Sequence, residues 1–229
     1  MFSREHHRRI ATILRSLDRK LLGDNACYFG GGTAVALRHG EYRESVDVDF
    51  VCSSVQGYRD IRQAVDETRP DWLFVEPVKI KRGVRVDQYG IRMVVAVDET
   101  PVKVEIIFEG RVQLDTPSQE DSIEGLLTLS NVDLVATKLM ANADRYADDA
   151  QMSRDIIDLS FLAQAGALPG AGVAKARGAY GSSIDKAFDR AKTLLLTRRG
   201  RLTTCMSAMK IEVEAPALRA SIESLTLDQ

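Results

Sequence analysis

Cysteine is scarce in this 229-residue chain: Cys27, Cys52 and Cys205 are widely separated and odd in number. They match neither a disulfide framework nor a zinc cluster. Each stands among apolar or small neighbours, as a reduced packing residue does. This thiol usage points to a cytoplasmic protein. An excess of charge of one sign is also missing: 31 Lys and Arg face 33 Asp and Glu, a formal net charge of -2. No global field for nucleic acid follows, which leaves only a local basic patch as a route to such a partner. No apolar run approaches the length of a membrane span, so no membrane partner is expected. The basic stretch 1–10 lacks the apolar segment that would follow it in a leader. Internal repeats and low-complexity tracts are absent. What remains is a globular composition, 45% hydrophobic and 28% charged, with length for one ordinary domain and a second small one.

Hydrophobic periodicity divides the chain in two. Residues 4–22 predict an amphipathic helix, with Ile10, Ile13, Leu14, Leu17 and Leu21 at helical spacing. A short strand, Ala26 to Phe29, runs into Gly30-Gly31-Gly32, and Thr33 to His39 reads as a helix that His39 caps and Gly40 stops. Val46 to Val51 alternates like a strand, and residues 57–67 suggest a surface helix. Residues 72–80, 84–87, 90–97 and 101–108 read as strands separated by Gly83, Gly90 and Pro101. From about residue 120 the pattern is helical, first on one or two helices carrying Leu126, Leu134, Lys138, Leu139 and Arg145, then over 152–165, then in shorter helices over 171–225. The fold expected is α+β: a mixed sheet with flanking helices over 1–118, followed by a helical domain over 119–229.

Three elements carry chemistry. Gly30-Gly31-Gly32-Thr33 joins a strand to a helix. Glycine lets the backbone turn tightly and lets phosphate approach its amides, while the helix start offers free N–H groups. No Gly-Lys-Ser/Thr follows, so this is no Walker loop, and a third glycine at the dinucleotide spacing is missing. A plain strand-to-helix turn is the competing reading. The second element is Asp47-Val48-Asp49. Carboxylates two apart on a strand share a face and repel unless a cation sits between them, which suits magnesium. Glu212-Val213-Glu214 repeats the acid spacing without a glycine turn and reads as a solvated face. The third is Glu105, flanked by Val104, Ile106 and Ile107. An acid in that setting is either a metal ligand or an outward residue on an edge strand, paired with Lys103.

A glycine turn opening a helix, then Ser-any-Asp-any-Asp, then an acid on a later strand resembles the nucleotidyltransferase superfamily that includes DNA polymerase beta. Gly31-Gly32-Thr33-Ala34-Val35 followed by Arg43-Glu44-Ser45-Val46-Asp47-Val48-Asp49-Phe50 is similar to the AbiEii/AbiGii family of nucleotidyltransferase-like toxins. So are Lys138 in Leu134-Val135-Ala136-Thr137-Lys138-Leu139 and the later Arg154-Asp155-Ile156-Ile157-Asp158-Leu159. The motifs span about residues 28–162, in the family's order.

The resemblance implies a nucleoside triphosphate held with Mg2+ or Mn2+. Gly31, Gly32, Thr33, Ser45 and Arg43 would lie at the nucleotide, and Asp47, Asp49 and Glu105 would bind metal. Lys138 would offset triphosphate charge, and Asp155 or Asp158 would position it or the acceptor. Arg145, two turns beyond Lys138, either joins the cationic set or is a solvated helix residue. An RNA acceptor such as the 3′ end of tRNA, and a partner antitoxin, are implied as well. The chain departs from the family pattern in a glycine run one residue longer, in Val35 where leucine is usual, and in Glu105 where Asp is usual.

The leading expectation is an enzyme moving a nucleoside monophosphate to an acceptor; the alternative is a non-catalytic triphosphate-binding module of the same fold. A metal nuclease fits less well, because Lys103-Val104-Glu105 reverses the usual order of acid and lysine, and a glycosyltransferase would lack the glycine turn. His6 and His7, among Arg4, Arg8 and Arg9, read as a basic, flexible N-terminal face. Lys192 and Arg198-Arg199-Gly200-Arg201 form either a local nucleic-acid patch or a solvated loop.

Overall fold

The computed structural model describes residues 2–65 and 71–227. By internal contacts the chain forms two units, Met1–Glu41 with Ser45–Ser130, and Tyr42–Glu44 with Asn131–Gln229.

The first unit begins with helices α1 (Glu5–Ser16) and α2 (Arg19–Asp24) where one helix is predicted. Asp18 divides them: its carboxylate accepts the Leu21 N–H at 2.9 Å, capping a new helix, and its own N–H donates to the Leu73 carbonyl. Strand β1 (Cys27–Gly30) leads into helix α3 (Gly31–Arg38), strand β2 (Val48–Cys52) and helix α4 (Val55–Ala64). Residues 66 and 67 of the predicted 57–67 helix lie outside the described residues.

Strands β3 (Lys79–Val86), β4 (Gly90–Val97) and β5 (Thr100–Phe108) complete a five-stranded sheet of order β1-β2-β5-β4-β3. The β2–β5 pair is parallel and the other pairs are antiparallel. The two segments read as 72–80 and 84–87 become one strand, bulged between Ile80 and Arg85, and residues 72–78 lie outside it. Pro77 stands just before its start.

The sheet's two faces differ. Val48, Phe50, Val104, Ile106, Ile91 and Val95 alternate onto one face and are at most 1% exposed. Helix α1 adds Ile10, Ile13 and Leu14, and packs on β4, while α3 packs on β1 and β2. The period of two therefore sends Asp49, Glu105 and Arg92 to the opposite, polar face.

Helix does not begin at residue 120. Ser122–Ile123 and Leu126–Leu127 pair as strands β6 and β7, so Leu126 is a strand residue. Glu124 and Gly125, with φ of +52° and +80°, form the two-residue turn between them.

The second unit is helical: α5 (Asn131–Arg145), α6 (Arg154–Leu162), α7 (Gly170–Tyr180), α8 (Ser183–Thr197), α9 (Arg201–Ala208) and α10 (Ala215–Ser224). Helix α5 packs on α6, α7 and α8, with Leu134, Val135, Ile156, Ile157 and Leu195 fully buried. Tyr42–Glu44 joins this unit through the Glu44 N–H, which donates to the Met209 carbonyl at 2.9 Å. No helix among the described residues is long and apolar enough to cross a membrane.

Phe29 has no exposed surface and sits 5.6 Å, ring to ring, from Phe50, one residue before the glycine run. Phe29→Ala is expected to destabilise the protein by about 3–5 kcal/mol, read as a lower urea midpoint in the full chain.

Candidate active site

The glycine run is built around Asp49. Strand β1 ends at Gly30, whose register partner on β2 is Asp49. The chain then turns with Gly31 at φ +65°, which starts α3. A Cβ on Gly31 would come within 2.5 Å of Asp49 Oδ2 and 2.9 Å of its Cβ. Only glycine fits, for conformation and for space together. The first N–H groups of α3 have no carbonyl four residues back, and the N-cap, Gly30, has no side chain to cap them. They start at the residue that touches the carboxylate.

Two hydroxyls hold the next turn. Thr33 Oγ1 lies 2.5 Å from the Asp47 carbonyl and 2.8 Å from Ser45 Oγ. A carbonyl only accepts, so Thr33 gives it its hydrogen and accepts from Ser45. Thr33 is 1% exposed, so this bond ties α3 to the backbone of the acid strand. Asp47 and Asp49 are half-buried, and Ser45 with them.

A charged row crosses the polar face of the sheet. Asp49 is in register with Glu105, Glu105 with Arg92, and Arg92 with Arg85. Glu105 is not on an edge: β5 lies between β2 and β4. Its carboxylate accepts from Arg92 Nε at 2.8 Å and pairs with Lys103. Arg92 is held on its other side by Asp87, at 2.8 Å.

The donor set at the glycine turn is all oxygen, as magnesium requires. Among the described residues no three Asp, Glu, His or Cys side chains gather as a metal cage. Magnesium does not need one, because it is usually held by one or two carboxylates together with substrate phosphates. Asp47 and Asp49 fit that share; Glu105 would first have to leave two cations.

The other predicted residues meet inside the second unit. Arg43 donates to both oxygens of Asp158, from Nε at 2.7 Å and Nη2 at 2.9 Å. The Tyr42 hydroxyl donates to the same carboxylate at 2.5 Å, and its ring stacks on Phe161. Lys138 Nζ lies 2.6 Å from Asp158 and 3.0 Å from Asp155. Arg145 grips Asp155 through Nε at 2.7 Å and Nη2 at 2.9 Å. The result is a line of alternating charge, Arg43, Asp158, Lys138, Asp155 and Arg145, buried except toward Arg145. Burial alone would raise both carboxyls. For Asp155, Lys138 and Arg145 outweigh it; for Asp158, Arg43 and Lys138 do; both stay below the ordinary range. Burial, and the Asp158 charge beside it, push the Tyr42 hydroxyl well up.

His7 is not on a flexible face but fully buried. Its Nε2 accepts the Ser45 N–H at 3.0 Å, so the hydrogen sits on Nδ1 and donates to Glu41 at 2.8 Å. The signal was available: His7 precedes Ile10, Ala11 and Leu14 by three, four and seven residues, on the buried stripe of α1. Glu41 also accepts the N–H groups of Ser3 and Arg4. These bonds overcome burial and hold its carboxyl at about 2. Of the second unit's basic cluster, Arg198 and Arg201 both pair with Asp149.

A glycine-started helix set against strand carboxylates, on a sheet with a parallel pair at its centre, defines the nucleotidyltransferase class. Two solved structures share this fold. A crystal structure of a candidate nucleotidyltransferase from H. pylori aligns with a TM-score of 0.51 and 16% identity, over 95% of this chain and 89% of that one. The crystal structure of JHP933 from Helicobacter pylori aligns with 0.52 and 16%, over 97% and 90%. No curated protein gives a significant match. Residues 12–226 match the model of the nucleotidyl transferase AbiEii toxin of type IV toxin–antitoxin systems. The chain belongs to that family.

Two outcomes follow. Burial pushes His7 below its ordinary value of 6.5, against the pull of Glu41. Below pH 6.5 the unfolded chain binds this proton and the folded one does not, so stability falls as pH drops from 6.5 toward the folded value. Urea titrations across that window are expected to show a pH slope at His7 that His7→Gln removes. Lys138→Met is expected to cost about 3–5 kcal/mol at neutral pH, because it strips a cation from two buried carboxylates. The cost should shrink as acid protonates Asp155 and Asp158, read from urea midpoints at neutral and acid pH.

Proposed function

We propose that the chain is a metal-dependent enzyme that moves a nucleoside monophosphate from a nucleoside triphosphate to RNA, with the 3′ end of tRNA as the favoured acceptor. It acts as a toxin restrained by an antitoxin protein. One observation carries this reading: a left-handed glycine at a helix start packs directly on a strand carboxylate. Phosphate-binding amides and a metal-type acid thereby share one spot.

In this reading the first-turn N–H groups of α3 receive phosphate oxygens. The Ser45 hydroxyl, placed by Thr33 and by the His7 bond to its backbone, would turn its one hydrogen from Thr33 to a phosphate oxygen. Asp47 and Asp49 would hold Mg2+ or Mn2+, which, when bound, lowers the pKa of the attacking hydroxyl and neutralises the departing pyrophosphate. The acceptor oxygen bonds to the α-phosphorus as the bond to the bridging oxygen breaks and pyrophosphate leaves. Glu105 becomes a further ligand only by giving up Arg92 and Lys103; paired with them, it sets the field beside Asp49. Within the second unit Lys138 is positioned by Asp155 and Asp158, with Arg43 locking Asp158.

The test is incubation with each α-labelled triphosphate, magnesium and total RNA, following label in RNA and pyrophosphate release. Wild-type protein should transfer label, and Asp49→Asn should abolish transfer. Gly31→Ala, which must displace Asp49, should lose about a hundredfold. Triphosphate binding without pyrophosphate release under any of these conditions would instead make the chain a non-catalytic nucleotide-binding module.

A further inference from the structure

The polar face of the sheet continues past the carboxylates. Register runs from Asp49 through Glu105 and Arg92 to Arg85 on the edge strand β3, three strand spacings or about 14 Å away. Partners in register share a face. Strand β3 is basic throughout, with Lys79, Lys81, Arg82 and Arg85 and no acid within it. Lys79 and Lys81 both pair with Glu99. Arg82 and Arg85 are exposed, and among the described residues no carboxylate pairs with either.

The turn that joins β3 to β4 carries Tyr89, which is 65% exposed. Asp87 shapes this turn by accepting the Tyr89 and Gly90 N–H groups. Ile107, in register with Gly90 and on the same face as Glu105, is 37% exposed. Positive charge on an edge strand can serve only to prevent edge-to-edge pairing. That explanation does not account for an exposed aromatic at the end of the strand, which would promote association. Unpaired guanidinium groups on a strand that runs into a turn with an exposed ring are instead what single-stranded nucleic acid requires: forks for phosphate and a platform for a base.

We infer that Arg82, Arg85 and Tyr89 form a docking track for a single-stranded nucleic acid, with the arginines on its phosphates and the tyrosine under a base. The two arginines lie on the sheet face that carries Asp49, and Tyr89 lies in the turn that follows their strand. Its use for the acceptor rests on the function proposed above; binding of the strand does not. An acidic protein could seek the same charge but has no use for the aromatic platform.

The test is fluorescence anisotropy of the full chain with labelled single-stranded RNA, single-stranded DNA and duplex RNA over a series of KCl concentrations. Wild-type protein should prefer the single strands. Arg82→Ala/Arg85→Ala should bind more weakly, with the slope of log K against log salt reduced by about 1.4, or about 0.7 per lost phosphate contact. Tyr89→Ala should lose about tenfold with the slope unchanged. Binding of a fluorescent ATP analogue and the melting curve should match wild type in both variants. Arg82→Gln/Arg85→Gln replaces the alanine double variant if that one melts early. RNA binding equal to wild type in the arginine variants overturns the inference, and so does arginine-dependent binding of polyglutamate but not of RNA. Normal label transfer to RNA by the arginine double variant sinks the track's use for the acceptor and leaves the enzymatic reading intact. Arginine-dependent RNA binding by a wild-type protein that transfers no label does the reverse.

Discussion

Asp49 occupies the space that a side chain on residue 31 would need, and the rest of the first unit is arranged to keep it there. The glycine must be left-handed for α3 to start at that point, and it must lack a Cβ for the carboxylate to remain. Strand β2 fixes the acid between Gly30 on one side and Glu105 on the other. The buried apolar residues Val48 and Phe50 fix which way it faces, since a slip of one residue would turn the acid into the core. Thr33 then binds α3 to the same strand through the Asp47 carbonyl. Helix, acid and the first amides of α3 form a single mechanical object.

The second unit solves a different problem, the burial of charge. A lone carboxylate as deep as Asp158 would take up a proton rather than stay ionised. Arg43 and Lys138 prevent this, and Asp155 is kept ionised in turn by Lys138 and Arg145. Such networks cost desolvation and return it only when every member is bonded. This one is closed at both ends by two-point arginine contacts. The motif Arg154-Asp155-Ile156-Ile157-Asp158-Leu159 thus has a structural meaning apart from chemistry. Its two acids lie one helical turn apart and face one lysine, while Ile156, Ile157 and Leu159 are buried beside them.

Much of this was legible from local pattern. Alternation marked β2, and apolar runs bounded by Gly90 and Pro101 marked β4 and β5, each to within a residue or two, and glycine with alternating acids marked the Asp49 turn. Legibility failed where a local signal was outvoted. Leu126 sits in a helical-looking stretch, yet Glu124 and Gly125 adopt positive φ and make a hairpin. His7 looked solvated beside four charged or polar neighbours, but the helix period carries it inside. Glu105 offered two readings; pairing with Lys103 is present, but on a central strand and with Arg92 as a second partner.

The order of residues by itself determined the chemistry on offer: a glycine that admits left-handed backbone, acids at strand spacing, and a lysine and two aspartates at helical spacing. These follow from the period of each element and the size of each side chain, which are local properties. Only the tertiary structure decided which charges meet. Arg43 with Asp158 and Arg92 with Glu105 are separated in the chain and brought together by strand register and helix packing. So is the row from Asp49 to Arg85, because no window of sequence encodes which strands lie side by side.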